Sequence, residues 1–404
     1  MQIKMPGLVE FVALTALLSS LMALAIDAML PALPQIGHDL AVADANAPQW
    51  VIATLFIGMM FGQVLFGPLS DSAGRKPLIY WGLGLFMVGS LVSMFAQSFT
   101  LMLLGRLLQG IGVAAPRVIT MALVRDCYSG RAMAQIMSFS MMVFIMVPTI
   151  APSLGQAILW VADWRAIFLS FILLSGVVLL WFGLRMPETL PVGKRRPFSA
   201  AGQWQATKIV MGQRIVMGYT VVTGLVFGAF LGYLNSVQQI LQVQYGLGDH
   251  FPLYFAALAL SFGGSSVVNA RLVMRLGMRL LSRWALWVMF GLSATFLLGV
   301  WYMSGHPPLW AFMAYCLVLF FSVGLLFGNL NALAMEPLGA YAGIGASIIG
   351  IVSSLIAIPL GTWVGQAYDG TVLPLVAGFA VLGAAAWATF EWTAQSTSTD
   401  TPSA

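Results

Sequence analysis

One carboxylate, Asp27, closes a long apolar run near the start of the chain, and two guanidinium groups, Arg106 and Arg117, stand inside another. Between Phe11 and Ile26 there is no charged residue, and the run then reads Asp27-Ala28-Met29-Leu30-Pro31-Ala32-Leu33-Pro34. A run of that length and apolarity reads as a membrane-spanning helix. A carboxylate within such a helix costs about 2.5–3.5 kcal/mol on insertion scales, and groups of this kind mark proton or substrate pathways. Pro31 and Pro34 leave a second reading open, in which Asp27 only marks a frayed helix end at the interface. Arg106 and Arg117 are eleven positions apart. At 100° per residue that is within about 20° of three full turns, so both face one side of a helix, about 16 Å apart along its axis. Each could also reach an interface by snorkelling. Asp27 ends the first apolar span and Arg106 begins the fourth, so alternating chain direction puts both in the same half of the membrane. An ion pair between them is expected, since it would lower the cost of burying either.

Other polar groups are candidates for a binding cavity. Asn235, Ser236, Gln238 and Gln239 fall late in the seventh span, the place in the second half of the chain that mirrors Asp27, and Asn329 and Asn331 interrupt the tenth. Glu10 and Glu336 sit at span ends and read as solvated. His38, His250 and His306 fall in loops, so no histidine relay crosses the membrane. No G-x-x-x-x-G-K-[ST] segment is present, which argues against nucleotide hydrolysis. No clustered carboxylates suggest a metal site, and Cys127 and Cys316 have no metal-binding spacing.

The elements that must hold these groups follow from composition. Of 404 residues, 60% are hydrophobic and 8% charged, against about 25% charged in a soluble domain. Turn signals divide the chain into twelve spans, at 8–30, 50–69, 78–96, 101–124, 134–159, 165–184, 215–241, 252–270, 281–303, 309–335, 342–366 and 372–392, with no alternating pattern of a barrel. The first lacks a small-residue cleavage site and reads as a retained span. All 18 Lys and Arg except Arg106, Arg117 and Arg165 fall on one side, which by the positive-inside rule makes that side, and both termini, cytoplasmic. The net charge of +5 is thus a topology signal and needs no nucleic-acid partner. The one long polar connection, 185–214, contains Lys194, Arg195 and Arg196 and separates six spans (1–184) from six (215–392), ahead of a cytoplasmic tail (393–404). Trp204 and Ile209 within it suggest a short segment lying on the membrane surface. The halves echo each other: Asp71-Ser72-Ala73-Gly74-Arg75-Lys76 follows the second span and Met274-Arg275-Leu276-Gly277-Met278-Arg279 the eighth. Pro148, Pro152 and Gly155 mark the fifth, and Pro359, Gly361 and Gly365 the eleventh.

Gly67-Pro68-Leu69-Ser70-Asp71-Ser72-Ala73-Gly74-Arg75-Lys76 resembles the G-x-L-x-D-R/K-x-G-R-R/K loop of the major facilitator superfamily, departing from it at Ser72. Arg106-Leu107-Leu108-Gln109-Gly110-Ile111-Gly112-Val113-Ala114 is similar to that family's R-x-x-Q-G-x-G-x-A element, associated with proton coupling. Val147-Pro148-Thr149-Ile150-Ala151-Pro152-Ser153-Leu154-Gly155-Gln156 resembles the G-P-x-x-G-G element of its antiporter branch, with Ala151 and Gln156 in place of two glycines. Asp27-x-x-x-Pro31-x-x-Pro34, Arg125-Asp126-Cys127-Tyr128 and Asp163-Trp164-Arg165 look like the Bcr/CflA group of drug:proton antiporters.

The resemblance implies an all-α integral membrane protein of two pseudo-symmetric six-helix bundles that works by alternating access. Asp27 and Arg106 would couple protons, and Arg117, Asn235, Gln238, Asn329 and Asn331 would line the substrate cavity. Gly67, Asp71, Gly74, Arg75 and Lys76 would form a conformational latch, and Pro148, Pro152 and Gly155 a helix bend. Such a protein exports amphiphilic drug-like molecules, needs no cofactor or metal, is driven by the proton gradient and is expected to act as a monomer in a bacterial inner membrane. Its partners are the substrate, protons and lipid. Uptake by proton symport is a rival within transport. A membrane-embedded enzyme or a non-transporting receptor is a rival outside it.

Overall fold

The computed structural model describes residues 6–128, 130–191, 193, 195 and 200–399; Lys194 and Arg196 of the basic run lie outside them. The described chain is helical, ordered as α1 (Leu8–Asp27), α2 (Leu33–Asp39), α3 (Trp50–Ala73), α4 (Arg75–Met94), α5 (Phe99–Cys127), α6 (Gly130–Leu159), α7 (Arg165–Arg185), α8 (Ala200–Met211), α9 (Arg214–Leu234), α10 (Phe251–Leu276), α11 (Met278–Tyr302), α12 (Leu309–Met335), α13 (Ala342–Gln366) and α14 (Leu373–Thr399). Among the described residues, eleven helices are long and apolar enough to cross a membrane. The expected fifth span corresponds to α6, of which Met146–Leu159 counts as a shorter apolar helix. The polar connection contains a twelve-residue helix, α8, that includes Trp204 and Ile209.

The chain divides into two compact units, Met1–Phe198 and Ser199–Ala404. In the first, α5 packs between α3 and α4, α1 lies against α6 and α5, and α7 packs on α4. In the second, α9 lies against α13 and α14, α10 and α11 flank α12, and α11 also meets α14.

Within α1 the hydroxyls of Thr15, Ser19 and Ser20 donate to the carbonyls of Phe11, Thr15 and Ala16. Polar side chains thus satisfy themselves inside an apolar helix. The helix ends at Asp27 because Pro31 has no N–H to give the Asp27 carbonyl. A turn at Ala28 and Met29, a 3-10 segment Leu30–Ala32 and then α2 follow. The second unit breaks its first long helix at the same place by another route. There α9 stops at Leu234, Asn235 and Ser236 form the turn, and a π-helical segment Gln239–Gln244 follows; a wider turn of this kind breaks a helix without proline. The two loop echoes also coincide in backbone. Gly74 has φ 108° and ψ 161°, and Gly277 φ 79° and ψ 157°, a conformation that L side chains rarely adopt. Each glycine is the residue before a new helix.

Candidate functional site

Asp27 is the last residue of α1 and is 5% exposed. Among the described residues no side chain donates a hydrogen bond to it. It is therefore a helix end, but a buried one, unlike the solvated end that its prolines allowed.

Arg106 is wholly buried and serves as a hub for four helices. Nε donates to the Val51 carbonyl on α3 (2.9 Å), Nη2 to the Ala25 carbonyl on α1 (2.8 Å), and Nη1 to Gln109 Oε1 (2.8 Å). Gln109 Nε2 then donates to Ser90 Oγ on α4 (2.6 Å), whose hydroxyl donates to the Phe86 carbonyl. The expected ion pair with Asp27 is corrected: no carboxylate oxygen lies within 4.0 Å of this guanidinium among the described residues. The cause is the break itself. In a continuous helix the Ala25 carbonyl would be bonded by the N–H of Met29, but α1 has ended and its last carbonyls are left without helical partners. A cation at a helix C-terminus is favourable, and Arg106 takes the carbonyl two residues before the acid.

Arg117, expected on the same face as Arg106, is more accessible than Arg106. Asn235 is buried in the turn that follows α9 and Gln238 in the helical residues just after it; Gln238 Nε2 donates to Gln242 Oε1 (3.1 Å), and Asn235 Oδ1 has no hydrogen-bond partner among the described residues. Asn329 on α12 is also buried and forms a reciprocal amide pair with Asn269 on α10, at 2.8 and 3.1 Å. Asn269 was not among the sequence candidates. Asn331 is exposed.

The loop between α3 and α4 is fastened from three sides. Arg75, 3% exposed, meets Asp71 Oδ1 (2.6 Å), Asp126 Oδ2 at the end of α5 (3.0 Å) and Ser70 Oγ (2.7 Å). Ser70 in turn donates to the Gly67 carbonyl. Lys76 Nζ donates to the carbonyls of Gly183 and Met186 at the end of α7 (2.8 and 2.6 Å). The third fastening was not foreseen. Gly74 has no side chain with which to cap α4, and Glu188, beyond α7, does so instead. Its carboxylate accepts from the backbone N–H groups of Arg75 (3.0 Å) and Lys76 (3.1 Å), and also of Leu190 (2.9 Å). An anion there answers unpaired donors and the helix dipole together. Glu188→Ala is expected to lower stability by about 1–2 kcal/mol, the cost of a lost N-cap, read as a lower midpoint of thermal unfolding in detergent. An unchanged midpoint would show that water caps α4 equally well. At the corresponding loop of the second unit the ion pair found among the described residues is Arg279 with Glu336, 3.9 Å apart and both half-exposed.

Glu10, at the start of α1, has partners that reading its span end alone does not announce. Arg185 donates to both of its oxygens (2.5 and 2.7 Å) and Trp181 Nε1 to one (3.0 Å), tying the start of α1 to the end of α7. The Asp163-Trp164-Arg165 stretch also has a local role. Trp164 is fully buried and donates Nε1 to Asp39 of α2 (3.0 Å), while Asp163 accepts from the Arg165 backbone (3.0 Å). Pro148 and Pro152 lie within α6, and Gly155 is packed against the break of α1. Among the described residues no cluster of His, Cys, Asp and Glu could hold a metal ion.

Comparison with known proteins places these features in one family. The Major Facilitator Superfamily model matches residues 15–362. An uncharacterised MFS-type transporter, YdgK of Bacillus subtilis, is 29% identical over 346 residues, covering 85% of each chain. A bicyclomycin resistance protein homologue of Haemophilus influenzae is 28% identical over 378 residues, covering 91% of each. In structure, the xylose transporter XylE of Escherichia coli in a partially occluded inward-open conformation aligns with a TM-score of 0.71 at 14% identity, covering 95% of this chain and 97% of that one. The α3–α4 loop, the Arg106 hub and the proline-bearing α6 all lie inside the matched stretch, and the chain belongs to the Major Facilitator Superfamily, a multi-pass membrane transporter and not an enzyme.

Proposed function

We propose that this transporter exports amphiphilic drug-like molecules in exchange for protons, with Asp27 as the proton carrier. The carrying observation is the buried carboxylate at the break of α1, with no side-chain donor among the described residues. A carboxylate held so can change its protonation without dismantling a salt bridge. The relative named for bicyclomycin resistance supports the substrate class. The chain would cross a bacterial inner membrane twelve times as two six-helix halves, 1–184 and 215–392, with both termini cytoplasmic. One substrate site, to which Arg117, Asn235, Gln238, Asn329 and Asn331 would contribute, opens to each side in turn. The fastened α3–α4 loop would act as a latch that must release in each cycle, and the transporter would work as a monomer.

The test is accumulation of ethidium in cells with and without the protein, repeated after a protonophore collapses the proton gradient. Expected is lower accumulation with the protein and closure of that gap by the protonophore. Equal accumulation in both strains sinks the reading, and gradient-dependent higher accumulation supports proton symport for uptake. Topology is checked separately by single cysteines at Gly193 and His306. An impermeant maleimide is expected to label the His306 position from outside and the Gly193 position only in opened vesicles.

A further inference from the structure

Asp27 is bracketed by two contacts made on the backbone of α1. On one side Arg106 holds the Ala25 carbonyl. On the other, α6 presses Gly155 against Ala28: a Cβ at position 155 would overlap the Ala28 carbonyl oxygen and lie 2.9 Å from its carbon. Real Cβ atoms do not approach so closely, so any side chain there must move the Ala28 peptide. Ala28 is also the residue that closes the last turn of α1, because its N–H donates to the Leu24 carbonyl (3.1 Å). Pro31 removes the helical bond that would otherwise fix the Asp27 carbonyl. The backbone on either side of the acid is therefore held at Ala25 by an arginine and met at Ala28 by a glycine.

The second unit repeats the seat without the acid. A Cβ at Gly365 on α13 would overlap Asn235 Cβ and lie 3.2 Å from the Asn235 oxygen, in the turn that follows α9. Ala28 and Asn235 are thus equivalent positions, and the counterpart of Asp27 is Leu234. The seat is a shared device for holding a broken helix, and only in the first unit does it hold a titratable group.

We infer that Gly155 is a positioning residue for Asp27, setting the carboxyl's surroundings through the Ala28 peptide. The inference deepens the proton-carrier reading and rests on it for its consequence in transport. The charged groups on elements packed against α1 are Arg106, Arg117, Arg125 and Asp126 on α5, Arg165 and Arg185 on α7, and Arg131 on α6, whose side chain lies outside the described ones. Asp126 is engaged by Arg75, Arg165 by Asp163, and Arg185 by Glu10 at the far end of α1. Arg106 reaches the α1 backbone two residues from the acid. Shifting the Ala28 peptide moves the carboxyl relative to that guanidinium, and with it the proton affinity.

The direct test does not require transport. Dicyclohexylcarbodiimide, which modifies protonated carboxyls in apolar surroundings, is applied to purified full-length protein across pH, and modification of Asp27 is read by mass spectrometry. Gly155→Ala is expected to shift the midpoint of that profile by about half a pH unit or more, roughly a threefold change in proton affinity. Gly365→Ala, crowded by the matching turn but in the unit that does not contain Asp27, is expected to leave it in place. An unchanged midpoint in Gly155→Ala, or an equal shift in both variants, overturns the inference. Should Gly155→Ala fail to accumulate, Ala28→Gly loosens the same turn without adding an atom, and an unchanged midpoint in it is equally fatal. The carrier reading is decided apart from this, by whether Asp27→Asn abolishes substrate-induced proton release.

Discussion

Asp27→Asn is expected to reduce proton-driven efflux to the level of cells lacking the protein. The amide keeps the size of the carboxyl and its capacity to accept a hydrogen bond, but it can neither take up nor release a proton. The helix end should be undisturbed, since no side chain among those described donates to Asp27. Proton release on adding substrate to purified protein, followed across pH, should vanish in the variant. Exchange of labelled for unlabelled substrate, which moves no net proton, should persist. If Asp27→Asn releases protons with the wild-type pH profile, the acid is not the carrier. Glu336 would then be examined before Glu10, because Glu10 is already held by two bonds from Arg185.

Arg106→Ala is expected to be the most destabilising single change. It removes the donors to the carbonyls of Ala25 and Val51 and to Gln109 Oε1. Each buried acceptor left unmade costs about 1–3 kcal/mol, so the sum is a large share of the roughly 5–15 kcal/mol that holds a domain folded. Low yield and a markedly lower unfolding midpoint are the expected observations. Arg106→Lys should recover only part of the loss, because an ammonium lacks the planar fork that spans three acceptors in different directions. A variant with wild-type thermal stability would show that water enters and replaces the guanidinium.

The helical frame was legible because it depends on apolarity in long runs, which a single sequence displays directly. Expected spans such as 309–335 and 165–184 coincide within a residue with α12 and α7. The conformations of Gly74 and Gly277 were legible for a similar reason, since a glycine just ahead of a basic residue stands at the same point of each half, where a turn is needed. The partners of the charged groups were not legible. Arg106 was matched with the nearest acid in depth, yet it bonds to backbone carbonyls, which every residue carries and which only the position of a helix break makes available. Glu188 caps a helix that begins 113 positions before it in the chain, and no local pattern announces a cap supplied from so far away. Glu10 and Arg185 did offer a signal. They are opposite charges at the same side of the first and sixth spans, and reading each span end in isolation concealed it.

The reciprocal amides of Asn269 and Asn329 constrain how this chain can drift over generations. Each side chain supplies a donor and an acceptor to the other, so losing Asn269 strands two polar atoms of the buried Asn329, and losing Asn329 leaves the half-buried Asn269 amide without its partner. Replacing both with apolar groups of similar shape strands none. For stability, losing Asn269 alone is therefore the costly change and the double change nearly neutral, a non-additive pair. Descendants are channelled to keep both asparagines or neither, and the easier path between the two sequences loses Asn329 first.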